Sequence, residues 1–363
     1  MDTNQYTLVN HEHFMLRAIE LARKGMGRVS PNPMVGCVLV KDGKVIAEGY
    51  HRIFGGDHAE VDAIKNSIED PCDSTAYITL EPCNQYGKTP PCVSALISAG
   101  VKEVFISSID LNPKVNGSGA DLLKLKGIKV HIGLLAFESK SLNRGYFRWI
   151  DKGLPYIYAK VAQSSDGFIA KNRNEQTWIT GEESKIHTHS LRSSVDAILV
   201  GRGTVVADNP KLTVRKVDGV SPIRVVLDAN RKLPLDINLF NDNQSKTIVF
   251  CSNKRFNDSK TSFCRYYAVD EINGKLDILK VLKKLGELGI TSLLVEGGEE
   301  VLSTFNEMNL IDMLFLYTSK NKMDGGILKN PISTNSGWSE EQAEFLGNDK
   351  LHIFAKETEC LQV

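Results

Sequence analysis

The sequence His58-Ala59-Glu60, followed by Pro82-Cys83 and then by Cys92, combines one imidazole, two thiols and one carboxylate in an order typical of a catalytic zinc site. Zinc bound by one His and two Cys has three protein ligands, so its fourth position stays open to water. Bound zinc lowers the pKa of that water to roughly 7. Glu60 lies two residues from His58, which makes its carboxylate a candidate proton carrier beside the water. The stretch therefore predicts hydrolytic chemistry, with Glu60 as the catalytic residue.

The spacing of the two cysteines departs from the usual P-C-x-x-C pattern of zinc nucleobase deaminases, because eight residues separate Cys83 from Cys92. Pro90 and Pro91 precede an apolar helical run, and proline is suited to the first turn of a helix. A cysteine near a helix N-terminus has a lowered thiol pKa and readily provides a thiolate ligand. We therefore predict that the site is retained, with His58, Cys83 and Cys92 as zinc ligands.

Strand-like and helical segments alternate around this site, which predicts an α/β fold. The apolar spacing after His58 and after Cys92 predicts a helix at each position. A hairpin is expected at Asp42-Gly43. In the first half, strands are predicted at 35–40, 45–50, 76–80, 104–107 and 129–132, and further helices at 16–26, 121–126 and 134–152.

The second half begins again with a strand, at 156–162. Further strands are predicted at 197–200, 223–227, 247–251, 292–295 and 313–317, and helices at 182–192, 276–288 and 299–308. The boundary is expected near Asp151–Pro155, which gives one domain over residues 1–152 and another over residues 153–363.

Charge and composition exclude several classes of protein. The 363-residue chain has no formal net charge, and residues 1–150 contain 17 Lys/Arg and 16 Asp/Glu, so neither half has the basic excess of a nucleic-acid-binding protein. No apolar run reaches the ~18 residues of a membrane-spanning helix, and the N-terminus lacks the features of a signal peptide. Seven cysteines fit a reducing compartment better than a disulfide framework. We expect a cytoplasmic enzyme without a nucleic-acid or membrane partner.

The second half also contains features suited to a phosphate-bearing ligand. Val295-Glu296-Gly297-Gly298 follows a predicted strand and precedes a predicted helix, where glycines let backbone N–H groups approach a phosphate. Arg192 and Arg215 offer forked donors for a substrate phosphate. No G-x-G-x-x-G occurs, so a Rossmann domain is not predicted.

Several separate segments resemble the bifunctional deaminase/reductase family of riboflavin biosynthesis. In the first half they are Ser30–Cys37, Gly49–His51, Thr79–Cys83 and Gly87–Cys92 with its long insertion; in the second they are Lys160–Gly167, Thr177–Thr180, Leu191–Ser193 and Gly201–Arg215. The resemblance covers nearly the whole chain. It implies a cytidine-deaminase-like three-layer α/β/α domain, followed by a dihydrofolate-reductase-like α/β domain that uses NADPH.

The resemblance also implies the site residues. In the first half it implies substrate contacts from Asn32, His51 and Lys88, with Lys88 against the substrate phosphate. In the second half it implies NADPH contacts from Ala162, Trp178, Thr204, Asp208 and the segment 298–304 that starts at Gly298. The implied substrate contacts there are Gln176, Arg192, Leu212, Arg215 and Glu296. Because they are ionisable, Lys160, Asp208 and Glu296 are the candidates for orienting the sugar and passing a proton, so Lys160 is also predicted to contact the substrate. Gln176 stands where the family often has Ser, and Asn209 where a second Asp is common.

Less specific interpretations of these residues stay open at this point. The zinc could be structural, with His51 as a fourth ligand. Asn32 could be a simple turn residue and Lys88 a solvated charge. Trp178 could belong to a core, and Gly297-Gly298 could be an ordinary turn.

The resemblance implies two consecutive reactions on a small phosphorylated pyrimidine. The first half would deaminate 2,5-diamino-6-(5-phosphoribosylamino)pyrimidin-4-one, and the second would reduce the ribosyl chain with NADPH to give 5-amino-6-(5-phosphoribitylamino)uracil. Three alternatives are a deaminase with an inactive, ligand-binding second half, a nucleic-acid deaminase, and a zinc-stabilised binding module. A homo-oligomer is left open.

Overall fold

The computed structural model describes the backbone of residues 3–10 and the complete residues 11–85, 91–113, 115–172, 175, 177–257 and 263–356. The chain divides into two compact units, Met1–Gly153 and Leu154–Val363. The sequence-based boundary lies one residue earlier, after residue 152.

The first unit contains a mixed five-stranded sheet with the strand order β2-β1-β3-β4-β5. Its strands are β1 (Gly36–Lys41), β2 (Lys44–Tyr50), β3 (Thr75–Leu80), β4 (Glu103–Ser108) and β5 (Lys129–Ile132). Its helices are α1 (Thr3–Arg23), α2 (Ala59–Lys65), α3 (Cys92–Ser98), α4 (Ser118–Leu125), α5 (Ala136–Leu142) and α6 (Arg144–Lys152). β1 runs antiparallel to β2 and β3, whereas β3, β4 and β5 are parallel.

Alternation of apolar side chains along the strands gives this sheet two buried faces. Leu39 and Ile78 point to one face and pack with α2, α3 and α4, whereas Val38 and Tyr77 point to the other and pack with α1. The unit is therefore a three-layer α/β/α structure. Because α2 and α3 cover the same face, their N-termini lie near each other at the end of β3.

The predicted helix 134–152 is wrong in one respect, since the structure has two helices there. Asn143 separates α5 from α6 and has non-helical backbone angles (φ −106°, ψ 24°). Its buried side chain bonds to the backbone of Met34, so a contact distant in sequence interrupts the helix. The other helices and strands predicted for this unit are confirmed, with α1 starting earlier than expected.

The second unit contains a nine-stranded sheet with the order β11-β10-β9-β8-β14-β6-β15-β18-β17. The strands of this sheet are β6 (Tyr156–Gln163), β8 (Ala197–Gly201), β9 (Ile223–Leu227), β10 (Thr247–Ser252), β11 (Arg265–Val269), β14 (Ser292–Val295), β15 (Met313–Thr318), β17 (Trp338–Leu346) and β18 (Asp349–Lys356). Two further pairs of strands are separate from it: β7 (Phe168–Ala170) with β16 (Leu328–Lys329), and β12 (Glu271–Ile272) with β13 (Lys275–Leu276). Its helices are α7 (Glu182–Ser193), α8 (Arg202–Asp208), α9 (Asn238–Asn241), α10 (Ile278–Glu287) and α11 (Glu299–Glu307).

The strands from β11 to β15 are parallel, and β18 and β17 add an antiparallel edge. Buried side chains cover both faces, for example Leu199 on one and Ile198 on the other. The carboxyl ends of β6, β8 and β14 lie side by side, which is where parallel sheets usually bind ligands. In the part of the chain that the structure describes, no helix combines the length and the apolar character needed to cross a bilayer.

Candidate functional site

Three predicted metal ligands meet at the end of β3 in the first unit. His58 is the N-cap of α2, Cys83 follows β3, and Cys92 is the first residue of α3. His58 Nδ1 lies 3.1 Å from Cys92 Sγ and 3.6 Å from Cys83 Sγ, and the two sulfurs are 3.4 Å apart. Tetrahedral zinc with bonds of about 2.0–2.3 Å requires ligand atoms roughly 3.5–3.8 Å apart. The donor set therefore fits zinc, and two of the three distances are 0.1–0.4 Å shorter than this spacing, so the ligands would move slightly apart around the ion.

Glu60 lies in the first turn of α2 and is only 3% exposed. Burial, with the nearby Cys83, raises the pKa of Glu60 to about 7, although His58 acts in the opposite direction. The hydrogen bond between the two thiols, together with one from His58, lowers the pKa of Cys83 and favours its thiolate form, which binds metal. The same bond and burial raise the pKa of Cys92, so the lowered pKa expected for a cysteine at this helix N-terminus is wrong. A carboxyl group with a pKa near neutrality can both accept and return a proton.

Asn32 and His51 form a hydrogen-bonded pair next to these ligands. His51 Nδ1 is 2.8 Å from the carbonyl oxygen of Asp57, which can only accept, so Nδ1 carries a proton. Burial lowers the pKa of His51, and its neutral Nε2 then accepts from Asn32 Nδ2 at 3.2 Å. The amide oxygen of Asn32 is left to accept a hydrogen bond from a ligand. Because His51 Nε2 is engaged by Asn32, the arrangement disfavours His51 as a fourth zinc ligand.

Glu81 is a site residue whose role the sequence does not predict. Its buried carboxylate accepts hydrogen bonds from the backbone N–H groups of Asp110 (3.3 Å), Gly117 (2.9 Å), Gly119 (2.9 Å) and Ala120 (3.2 Å). These bonds tie the loop that carries Cys83 to the start of α4. A β-carbon on Gly119 would lie 2.0 Å from the Pro82 carbonyl oxygen, so glycine is required there. The only signal in the sequence is the position of Glu81, two residues before a ligand.

A cleft of about 890 Å³ opens at the carboxyl ends of the parallel strands in the second unit. This volume is at the upper end of the ~300–1,000 Å³ typical of cofactor and ligand sites. Every predicted residue of this unit that the structure describes lines it: Lys160, Ala162, Trp178, Arg192, Thr204, Asp208, Leu212, Arg215, Glu296 and Gly298. Gln176, like Lys88 of the first unit, lies outside the described residues.

Lys160, Arg192 and Glu296 form a charged cluster in this cleft. Arg192 donates to Glu296 through Nε and Nη2, each at 2.8 Å, and both side chains are largely buried. Burial opposes ionisation of Glu296, but Arg192 and then Lys160 outweigh it and lower its pKa. Burial also lowers the pKa of Lys160, which Glu296 partly counteracts. Arg192 was predicted to bind phosphate, yet its fork is already engaged by Glu296.

Another part of the cleft wall is built from two strand–glycine–helix connections. Gly201 joins β8 to α8, and Gly297-Gly298 joins β14 to α11. The strands are neighbours, and Gly298 N–H donates to Thr204 Oγ1 at 3.2 Å, so the two helix starts lie together. Glycine has no side chain to cap α11, which presents the amides of its first turn to a ligand phosphate. These helix starts are therefore a candidate position for the phosphates of NADPH, with Glu299 and Glu300 also in the first turn of α11.

Trp178 is 69% exposed, so it is not a core residue. The Lys185 ammonium lies 4.2 Å from the centre of its ring.

Asn209 has a left-handed backbone (φ 38°), and its side-chain oxygen accepts from Asn238 N–H at 2.8 Å. At position 209, where the family commonly has Asp, the Asn side chain of this protein therefore contacts the start of α9.

Comparison with known proteins now identifies the family. Residues 155–320 match the family described as RibD C-terminal domain, and residues 8–108 match the cytidine and deoxycytidylate deaminase zinc-binding region. The riboflavin biosynthesis protein RibD of Actinobacillus pleuropneumoniae is 38% identical over 365 residues, which cover 97% of this chain and 96% of that protein. This chain belongs to the RibD family.

Other RibD proteins agree in sequence and in structure. The Escherichia coli protein is 38% identical over 84% of this chain and 86% of its own length. The Thermotoga maritima diaminohydroxyphosphoribosylaminopyrimidine deaminase/5-amino-6-(5-phosphoribosylamino)uracil reductase superposes with a TM-score of 0.88 at 36% identity, covering 96% of this chain and 99% of that one. Acinetobacter baumannii RibD gives 0.85 at 31% identity, covering 97% of this chain and 100% of that one.

Membership of the RibD family makes this chain a bifunctional deaminase/reductase of riboflavin biosynthesis. Its deaminase domain binds zinc, and its reductase domain is of the NADPH-dependent RibD type. The predicted fold class, activity and cofactors are confirmed. Because the reductase domain is present, the bifunctional interpretation is favoured over a deaminase with an inactive second half.

Proposed function

We propose that the first unit deaminates 2,5-diamino-6-(5-phosphoribosylamino)pyrimidin-4-one and that the second reduces the deaminated product to 5-amino-6-(5-phosphoribitylamino)uracil. The observation that carries this proposal is the cluster of His58, Cys83 and Cys92, whose ligand atoms all lie within 4.8 Å of one another, beside the buried carboxyl of Glu60. The Thermotoga maritima relative supports these substrates, because it is described as a diaminohydroxyphosphoribosylaminopyrimidine deaminase and 5-amino-6-(5-phosphoribosylamino)uracil reductase.

In the deamination step, His58, Cys83 and Cys92 would hold zinc, which would lower the pKa of a bound water molecule. Glu60 would accept one proton from that water and pass it to the ring nitrogen, and would then carry the proton of the added hydroxyl to the departing amine, so that ammonia leaves and oxygen replaces it. Asn32 orients the pyrimidine by accepting a hydrogen bond through its amide oxygen. His51 holds the Asn32 amide in place, and Lys88 is assigned to the substrate phosphate on the family resemblance.

In the reduction step, NADPH supplies the hydride, and the protein supplies position and charge. Ala162, Trp178, Thr204, Asp208 and Gly298 are the proposed NADPH contacts. Lys160 and Glu296 orient the sugar, and Lys160 is the proposed proton donor because burial makes its ammonium more acidic. Arg215 binds the substrate phosphate. Leu212, Arg192 and Gln176 complete the proposed substrate site.

A pair of variants tests the proposal in the full-length protein. Glu60→Gln should retain stoichiometric zinc and lose ammonia release, while it still oxidises NADPH with the deaminated intermediate. Lys160→Met should show the opposite pattern. Zinc removal by a chelator should resemble Glu60→Gln; if it left ammonia release intact, the zinc mechanism would be wrong. Wild-type protein that failed to oxidise NADPH with the deaminated intermediate would refute the reductase assignment.

A further inference from the structure

His189 is a buried histidine in the reductase cleft that neither the motifs nor the family resemblance brought into the site. It lies on α7, three residues before Arg192, so both side chains are on the same face of the helix. It is 4% exposed and borders the cleft. A buried imidazole between the cations of a substrate site requires a reason for its position.

The hydrogen bond of His189 determines its tautomer. The backbone N–H of Arg215 donates to His189 Nδ1 at 3.0 Å, so Nδ1 carries a lone pair and the proton of the neutral ring is on Nε2. Burial, followed by the charges of Arg192 and Arg215, lowers the pKa of His189 to about 4. The residue is therefore a neutral N–H donor at physiological pH.

The bond to Arg215 holds a strained segment. Leu212 has a left-handed backbone (φ 52°), which is uncommon for a bulky residue and persists only where the surroundings enforce it. Arg224 Nη1 donates to the Lys211 carbonyl at 3.3 Å, and Arg192 Nη1 to the Thr213 carbonyl at 3.4 Å. The hydrogen bond from Arg215 N–H to His189 is a third restraint, at the C-terminal end of the segment 211–215.

The charges around His189 favour an anion. Arg192 is neutralised by Glu296, and Lys216 by Glu182. The Arg215 guanidinium instead donates to the hydroxyl of Thr213 at 2.6 Å and to its carbonyl at 3.4 Å, and neither group carries a charge. Among the residues that the structure describes, no carboxylate forms an ion pair with Arg215, so its positive charge is available to a ligand in the cleft that His189 also borders.

We propose that His189 has two roles in the reductase site: its Nδ1 positions Arg215, and its Nε2–H joins the Arg215 guanidinium in binding the substrate phosphate. This inference rests on the proposed reductase function. His189 is then a phosphate-binding and positioning residue, and it takes no part in the hydride or proton transfer.

Two substitutions separate the roles, because each preserves a different nitrogen position. The side-chain oxygen of Asn lies near the position of Nδ1, so His189→Asn keeps an acceptor for Arg215 N–H and loses the phosphate donor. The amide of Gln extends to the position of Nε2, so His189→Gln keeps a donor and loses the acceptor. His189→Ala loses both.

The experiment measures NADPH oxidation by the full-length enzyme with the deaminated intermediate. A hydrogen bond to a charged group contributes about 1.5–3 kcal/mol, so His189→Asn should raise the KM of this substrate by roughly tenfold or more. The Ala variant should be weaker still, and the Gln variant should fall between Ala and wild type. The KM of NADPH and kcat should stay within about twofold, which also shows that the second unit is folded. With the dephosphorylated substrate, the variants and the wild type should have similar KM values.

Three results would overturn the inference while the reductase function stands. They are an unchanged KM in the Asn and Ala variants, an equal loss with the dephosphorylated substrate, and a loss confined to kcat. Wild-type enzyme without NADPH oxidation would overturn the proposed function, and the inference with it.

A second measurement uses the wild-type protein and covers the case in which the variants do not fold. In ¹⁵N-histidine spectra, His189 should be the Nε2–H tautomer at pH 7, and inorganic phosphate should shift its Nε2 resonance. An Nδ1–H tautomer, or a resonance that phosphate leaves unchanged, would contradict the assignment.

Discussion

The side-chain amide of Asn143 forms two hydrogen bonds with the backbone of Met34, across 109 residues of sequence. Met34 N–H donates to Asn143 Oδ1 at 2.8 Å, and Asn143 Nδ2 donates to the Met34 carbonyl at 2.9 Å. Met34 lies two residues after Asn32, the proposed pyrimidine contact. Asn143 therefore fixes the loop that presents Asn32 to the zinc site.

Substitution of Asn143 by Ala should impair deamination without loss of zinc. Removal of two hydrogen bonds at a buried side chain should lower the free energy of unfolding of the first unit by about 1–3 kcal/mol. Displacement of Asn32 should lower kcat/KM for ammonia release by roughly 10–100-fold. Exposed Asn66, which donates to the Glu48 carbonyl at 3.3 Å, provides the control substitution to Ala. Equal activity of the two variants would contradict the positioning role.

Substitution of Glu81 by Gln should weaken zinc binding. The amide has only one oxygen to replace a carboxylate that accepts four backbone N–H groups, and its NH₂ would face donors. We expect zinc affinity to fall roughly 10–100-fold, as for other residues that orient metal ligands. Chelator competition measures the affinity, and Glu69→Gln at an exposed position is the control. Unaltered zinc affinity together with a lower melting temperature would mean that Glu81 is merely structural.

Removal of Glu296 should destabilise the second unit more than removal of a surface ion pair. Glu296→Gln leaves the Arg192 guanidinium nearly buried without its counter-ion, which typically costs about 3–5 kcal/mol. Lys284→Ala breaks the exposed pair with Glu287 and should cost about 0–1 kcal/mol. Denaturant unfolding followed by circular dichroism compares the two. An Arg192→Met/Glu296→Met double variant should be more stable than Glu296→Gln, because no buried charge is left unpaired. If its loss of stability equalled the sum of the losses in the Arg192→Met and Glu296→Met single variants, the pair would not be coupled.

The stability of the second unit should depend on pH through His189. Its pKa is about 4 in the folded protein and near 6.5 in the unfolded chain, so the unfolded chain binds more protons between these values. The contribution of His189 is fully present above pH 6.5 and is lost as the pH falls towards 4. Unfolding near pH 5 should thus take up as much as about one proton at this residue. His189→Asn should lack this part of the pH dependence, and identical slopes for both proteins would contradict the expectation.

Much of the fold is predictable from the sequence, because the central strands are short apolar runs. The hairpin at Asp42-Gly43 is confirmed, with both residues at positive φ as such a turn requires. β17 was missed since Trp338–Leu346 is a mostly exposed edge strand with few apolar residues. The break at Asn143 was missed because it depends on Met34, which no local pattern reveals.

The site residues also divide into those that a local sequence pattern reveals and those that depend on contacts with distant segments. His58, Cys83 and Cys92 are predictable because metal binding restricts the residue type, and the structure brings their ligand atoms together. Glu81, Asn143 and His189 act on backbone N–H and C=O groups of distant segments. Every residue offers such groups, so the sequence carries little information about which of them a side chain will contact.

The position of β14 between β6 and β8 has a consequence for how the second unit is made. β6 and β8 leave the ribosome well before β14, which ends at Val295. During the intervening synthesis, at about 5–20 residues per second, the nascent chain has two strands whose shared neighbour does not yet exist. The contact between Thr204 and Gly298, two of the proposed NADPH contacts, therefore forms late. Until it forms, the unpaired edges of β6 and β8 are exposed, and such edges promote aggregation of a newly made chain.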